Sequence, residues 1–243
     1  MGLLLADDRG RTLTKQSRRG GTYPHPRATV RLAMSSAVLV GIFGAAQGFR
    51  HALEPDHVTA VATVLVRDRR PLRAVAYAAA WGLGHGSVLV VLGGALIALR
   101  LRMPPLVEGI FELFVALMLI ALGIRAVKNA RATAATQPPT AQPLVRSSVL
   151  IGMVHGLAGS GAVTAIALAS TSTPMGGVAC LALYALSTTV GMAVLAGAAG
   201  PLLARAARNE RLGRGIVTAA GLASVILGVV WAVVGVLALG RTA

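Results

Sequence analysis

The sequence predicts an all-α integral membrane protein of about seven transmembrane helices, six being the alternative count. They are arranged as two inverted three-helix repeats with broken helices. Three observations predict this. The chain has 243 residues, of which 55% are hydrophobic, and its mean hydropathy is +0.73, far above a soluble domain. Its basic residues stand almost entirely between apolar stretches. Short sequence matches also recur at a near-constant offset: Val58-Thr59-Ala60-Val61-Ala62 with Val163-Thr164-Ala165-Ile166-Ala167, and Val91-Leu92-Gly93-Gly94 with Val194-Leu195-Ala196-Gly197.

In order, residues 1–30 mix Arg9, Arg11, Lys15, Arg18, Arg19 and Arg27 with Gly, Thr and Pro, which predicts a disordered basic cytoplasmic arm ahead of an uncleaved signal anchor. The first membrane half is 31–127. A linker rich in Ala, Thr, Gln and Pro, 128–146, is read as cytoplasmic, and the second half is 147–243. Apolar spans are expected at 32–48, 50–66, 74–99, 105–124, 147–170, 175–199 and 215–239, each judged against about 30 Å of hydrocarbon. The first two are short and contiguous, so 31–66 crosses either once or twice.

Charge decides for seven. Seven Lys and Arg precede position 32, and four each fall in 67–73, 125–146 and 205–214. Arg100, Arg102 and Arg241 fall in the alternate gaps. Seven crossings with the N-terminus inside put 19 basic residues on the cytoplasmic side and three outside. The net charge of +15 is thereby explained by topology, and nucleic acid is not an expected partner, because aromatics make up only 4%. Cys180 is the single cysteine, so no intrachain disulfide or cysteine-rich metal site exists.

Both halves open on a broken span. In the first, Arg50-His51-Ala52-Leu53-Glu54-Pro55-Asp56-His57 sets two imidazoles, two carboxylates and an arginine in an apolar run. Each ionised group there costs roughly 2.5–3.5 kcal/mol on insertion scales. On an unbroken helix His51 and His57 would point some 120° apart, and Pro55 weakens the helix between them. In the second, three glycines fall within His155-Gly156-Leu157-Ala158-Gly159-Ser160-Gly161. Irregular backbone at membrane depth survives only inside protein or beside a wet cavity, so paired breaks point to a central binding site.

His51, Asp56, His57, His85 and His155 are the candidate metal ligands, since imidazole and carboxylate suit nickel, cobalt or zinc. The other reading is a polar kink whose groups neighbouring helices satisfy. Arg50, Glu54, Ser87, Ser160 and Thr164 are candidates for the shell that orients those ligands, the three hydroxyls also reading as ordinary helix-packing groups. Arg50 has two possible partners, Asp56 and Glu54. Glu108 and Glu112 share one helix face and read either as a cation entrance or as a solvated interfacial edge.

Three motifs carry a family resemblance. The segment from Arg50 to His57 resembles the His-x4-Asp-His signature of the nickel/cobalt transporter superfamily. Trp81-Gly82-Leu83-Gly84-His85-Gly86-Ser87-Val88 resembles its second histidine motif. Gly152-Met153-Val154-His155-Gly156-Leu157-Ala158-Gly159-Ser160-Gly161-Ala162 is similar to its UreH-like branch. The chain departs from the main branch at Glu54-Pro55, where Asp-Ala is usual, and in the Gly-Ser segment, where an acidic motif is usual. The resemblance implies uptake of Ni²⁺ or Co²⁺ through His51, Asp56, His57 and His85, with the ion as substrate and no permanently bound cofactor. It implies a multi-pass protein of the cytoplasmic (inner) membrane of a prokaryote, its partners being a divalent transition-metal ion and the bilayer. The oligomeric state stays open.

The chain is not expected to be an enzyme. It holds no nucleotide-binding phosphate loop, and the His-Glu-x-x-His motif of intramembrane metalloproteases is absent, Glu54 following His51 by three positions. Export of nickel, cobalt or another divalent metal, and a haem-binding electron carrier, are the alternative functions.

Overall fold

The computed structural model describes residues 26–59, 71–131, 144–171, 173–206 and 208–240. Residues 1–25 of the expected arm, the far end of the 50–66 span and most of the proposed linker lie outside the described residues, whereas residues 26–30, expected within the disordered arm, are the start of a helix. Helix α1 runs Pro26–Ala52, α3 Pro71–Val88, α4 Gly94–Leu99, α5 Pro105–Arg131, α6 Leu144–Leu157, α7 Ser160–Ser170, α8 Pro174–Ala206 and α9 Glu210–Gly240, while α2 begins at 55 and is described to 59. Every regular element among the described residues is helical.

Four helices, namely α3 with α4, α5, α8 and α9, are long and apolar enough to cross a membrane, and the bent pair α6–α7 makes up to five. Val229, Val230, Val233, Val234, Val236 and Leu237 of α9 are exposed. In water such a face is an aggregation site, whereas in lipid it is the matching surface. The chain is therefore an all-α, multi-pass membrane protein.

The element boundaries depart from the expected spans in three places. No break separates 32–48 from 50–66 at Gly48: α1 continues to Ala52, and the interruption falls at 53–54. Pro55 is the first residue of α2, where its missing N–H has no helical partner to lose, and it disfavours helical backbone at Glu54. Helix α5 extends through Arg131, three residues beyond the expected start of the linker. A π turn, Leu89–Gly93, interrupts the third span between α3 and α4, and no sequence signal announced it.

Helix contacts follow the internal repeat. Shifting by 103 maps Gly82, which meets the Thr189 backbone, onto Ala185, which meets Gly86. Shifting by 105 maps the close approach of Gly123 to the Gly221 carbonyl onto that of Gly228 to the Ala116 carbonyl. Higher residues of α3 thus face lower residues of α8, and α5 faces α9 in the same way, so equivalent helices run in opposite directions. That is the relation of inverted repeats. Small residues make it possible, since apolar side chains gain little by leaving lipid and helices associate through close packing and interhelical hydrogen bonds. Thr188 Oγ1 donates to the Gly48 carbonyl at 3.0 Å, and Ser224 Oγ to the Leu119 carbonyl at 2.9 Å.

Candidate metal centre

The interruption at 53–54 changes the direction of the chain between His51 and His57, and their rings stand 4.4 Å apart, centroid to centroid. His51 ends α1 and His57 lies in the first turn of α2. Helix α3 brings His85 to 5.2 Å from the His57 ring. Helix α6 brings His155, in its last turn, to 4.2 Å from the same ring. Residues distant in sequence thus surround His57.

The three glycines of the second break divide the task. Gly156 lies against the His85 carbonyl, where no Cβ would fit, and so sets the distance between α6 and α3. Only Gly159 takes a left-handed conformation, φ 71°, and it turns the chain by 63° from α6 into α7. Gly161 packs against Glu108 and Met103.

Asp56, His57, His85 and His155 are each at most 2% exposed, whereas the His51 side chain retains 17%. Asp56 accepts a hydrogen bond from His155 Nε2 at 2.8 Å, and its other oxygen is 3.3 Å from His57 Nδ1. Both ring nitrogens of His57 and of His85 lack a hydrogen-bond partner, and so does Nδ1 of His155. A buried, unbonded polar atom ordinarily costs about 1–3 kcal/mol. Five such atoms in one cluster describe a site organised for something other than its own hydrogen bonds.

His51 Nδ1 donates to Glu54 Oε2 at 2.8 Å, which fixes the tautomer and leaves Nε2 with its lone pair. Of the two partners considered for Arg50, the structure chooses Glu54, at 3.6 Å, and Arg50 Nε also donates to Gln47 at 3.0 Å. The three hydroxyls are turned to backbone: Ser87 donates to the Gly84 carbonyl, Ser160 to Leu157 and Thr164 to Ser160. They are helix-packing groups, and none donates to an imidazole in these bonds. Glu108 lines a cavity of about 530 Å³ with Arg102, Gly161 and Thr164, outside the histidine cluster. Glu112 points towards Gly235 of α9. A second cavity, of about 240 Å³, reaches His51 between α1, α7 and α8, and is lined also by Gln47, Arg50, Glu54 and Tyr184.

Two sets of three residues bring one ligand atom each within 4.8 Å of one another: His51, His57 and His85, and Asp56, His57 and His155. An ion bonded tetrahedrally at about 2.1 Å holds its ligand atoms about 3.4 Å apart, so either set closes on an ion by drawing its atoms together by up to about 1.4 Å. Tyr184 is one residue the sequence reading passed over. Its ring lies 5.5 Å from His51, as that of Trp81 lies 5.8 Å from His155. The signal was present: Tyr184 and Leu186 repeat Trp81 and Leu83 at an offset of 103.

The urease accessory protein UreH of Bacillus sp. (strain TB-90) is 26% identical over 194 residues, covering 75% of this chain and 85% of that protein. The chain is thus similar to a urease accessory protein over three quarters of its length. The similarity therefore covers far more of the sequence than the three motifs alone. No family model matches the chain, and no solved structure matches it significantly.

Proposed function

We propose that this protein is a secondary permease that carries Ni²⁺ or Co²⁺ into the cell across the cytoplasmic membrane. The observation that carries the reading is the four-histidine, one-carboxylate cluster inside a helical membrane protein, with five buried ring nitrogens unbonded. Imidazole with carboxylate suits borderline divalent ions, and similarity to a urease accessory protein favours nickel among them. The ion is the substrate and leaves again, so neither a bound cofactor nor a catalytic step is required.

A divalent cation moving inward gains about 4.6 kcal/mol per 100 mV of membrane potential, twice the single-charge value, which is enough to drive uptake without nucleotide hydrolysis. Cells expressing the protein are expected to accumulate radioactive nickel and cobalt, and to stop when the potential is collapsed. Accumulation equal to that of cells lacking the protein would refute the reading, and faster loss of preloaded metal would replace uptake with export.

The 19-to-3 charge division favours seven crossings with a cytoplasmic N-terminus. The helix packing favours six, with α1–α2 one broken span like α6–α7: Gly44 and Gly48 of α1 meet Cys180 and Tyr184 of α8 in the same sense as Gly152 and Gly156 of α6 meet Trp81 and His85 of α3. Reporters fused at position 138 and at the C-terminus are expected on opposite faces, the first inside. Both on one face would exclude seven crossings.

A further inference from the structure

We propose that the cluster is two overlapping cation stations, each of three ligands, which share His57 and exchange His51 and His85 for His155 and Asp56. The proposal rests on the transport reading and deepens it by stating how one site serves two sides of a membrane.

The inverted repeat carries the inference. Gly48 packs on the carbonyl of Tyr184, and Gly152 packs on that of Trp81. A shift of 104 takes Gly48 to Gly152, and a shift of 103 takes Trp81 to Tyr184, so the two contacts are one contact repeated. The same shift of 104 takes His51 to His155. Each of these histidines ends the helix before a break, α1 in one half and α6 in the other. Each has the equivalent aromatic ring beside it, Tyr184 at 5.5 Å and Trp81 at 5.8 Å. His51 and His155 are thus the same position in two oppositely oriented halves.

The two ligand sets divide along this relation. His51 belongs with His57 and His85, and His155 belongs with His57 and Asp56. His57 is common to both: its Nε2 has no hydrogen-bond partner, and its Nδ1 lies 3.3 Å from an oxygen of Asp56, itself a member of one set. Access differs between the two. The cavity of about 240 Å³ reaches His51, whereas the station of Asp56, His57 and His155 is buried at all three ligands. An ion arriving through the cavity meets three imidazoles first. It reaches the station holding the carboxylate by exchanging His51 and His85 for His155 and Asp56 while His57 stays bonded. A neutral imidazole has one protonated nitrogen and one lone pair, so the shared His57 bonds one ion at a time and the two stations are not filled together. The cluster therefore holds one ion in either of two places.

The full-length protein in detergent, titrated with Co²⁺ and read by X-ray absorption, tests this by counting imidazoles. His155→Ala is expected to retain one cobalt on three imidazoles, and His51→Ala to retain one cobalt on two imidazoles and a carboxylate. Both are expected to lose transport, because the ion can no longer pass between stations. His57→Ala is expected to lose cobalt binding, and His57→Gln, which keeps more of the side-chain volume, reports the same if alanine prevents folding. Identical ligand counts in His51→Ala and His155→Ala, loss of all cobalt from either, or binding retained without His57 would each replace two stations by a single centre and leave the transport reading intact. Absence of cobalt from the unaltered protein would overturn the transport reading, and the stations with it.

Discussion

Asp56→Asn is expected to abolish uptake at low metal while the protein accumulates in the membrane at its normal level. Asp56 is the one fully buried carboxylate among the described residues, and it lies between His57 and His155. A divalent ion leaving water for this interior gives up hydration that neutral imidazoles replace only in part, and the carboxylate offsets part of the remaining charge. Asparagine keeps the shape and removes the charge. Loss of one partner from a buried charge pair costs about 2–5 kcal/mol, which is at least thirtyfold in affinity. Glu54→Gln is a graded comparison. Glu54 is about one-third exposed and acts on the ion through His51, so a loss of roughly tenfold is expected, the low end for a residue that orients a ligand. The double variant Asp56→Asn, His57→Gln should be scarcely worse than either single one, since the two groups act together. Nickel uptake at submicromolar metal, normalised to immunoblotted protein, checks all four. Normal uptake by Asp56→Asn would make the stretch a structural kink.

The five residues singled out from the sequence stand in one cluster because their chemistry betrays them: ionisable groups in apolar spans are costly, so their positions carry information. The breaks were legible for a similar reason, since Pro55 and Gly159 restrict or require particular backbone. What escaped the sequence reading depends on contacts between helices. Gly48-x-x-His51-x-Leu53 and Gly152-x-x-His155-x-Leu157 are the same pattern at an offset of 104. In a chain rich in Ala, Val and Leu, three matching residues carry little weight until Tyr184 and Trp81 are seen against the matching glycines. Glycines also look alike in a sequence: Gly156 and Gly159 both read as helix breakers, yet one spaces two helices and the other turns the chain. The hydroxyls of Ser87, Ser160 and Thr164 were ambiguous because a helix offers each a carbonyl three or four residues back.

Gly156→Ala is expected to destabilise the protein and weaken metal binding together, although it removes no ligand. The added methyl would stand 2.5 Å from the His85 carbonyl oxygen, and backbone on the facing helix cannot swing aside as a flexible side chain would. Helix α6 must therefore move away from α3. The cost of such overpacking is about 1–3 kcal/mol, or roughly 2–12 °C in melting temperature for a protein of this size. The displacement falls on the cluster, because His155 precedes Gly156 and His85 supplies the carbonyl it meets. An imidazole shifted by even a fraction of an ångström from its partners weakens the set of His57, His155 and Asp56. Gly215→Ala is the control. It lies in α9 with nothing within 4 Å of the added methyl, so helix propensity alone acts, and stability should rise by up to about 1 kcal/mol. Thermal unfolding and nickel titration of both variants in detergent check the pair. A Gly156→Ala protein that melts and binds like the parent would show that the approach of α6 to α3 does not set the geometry of the histidines.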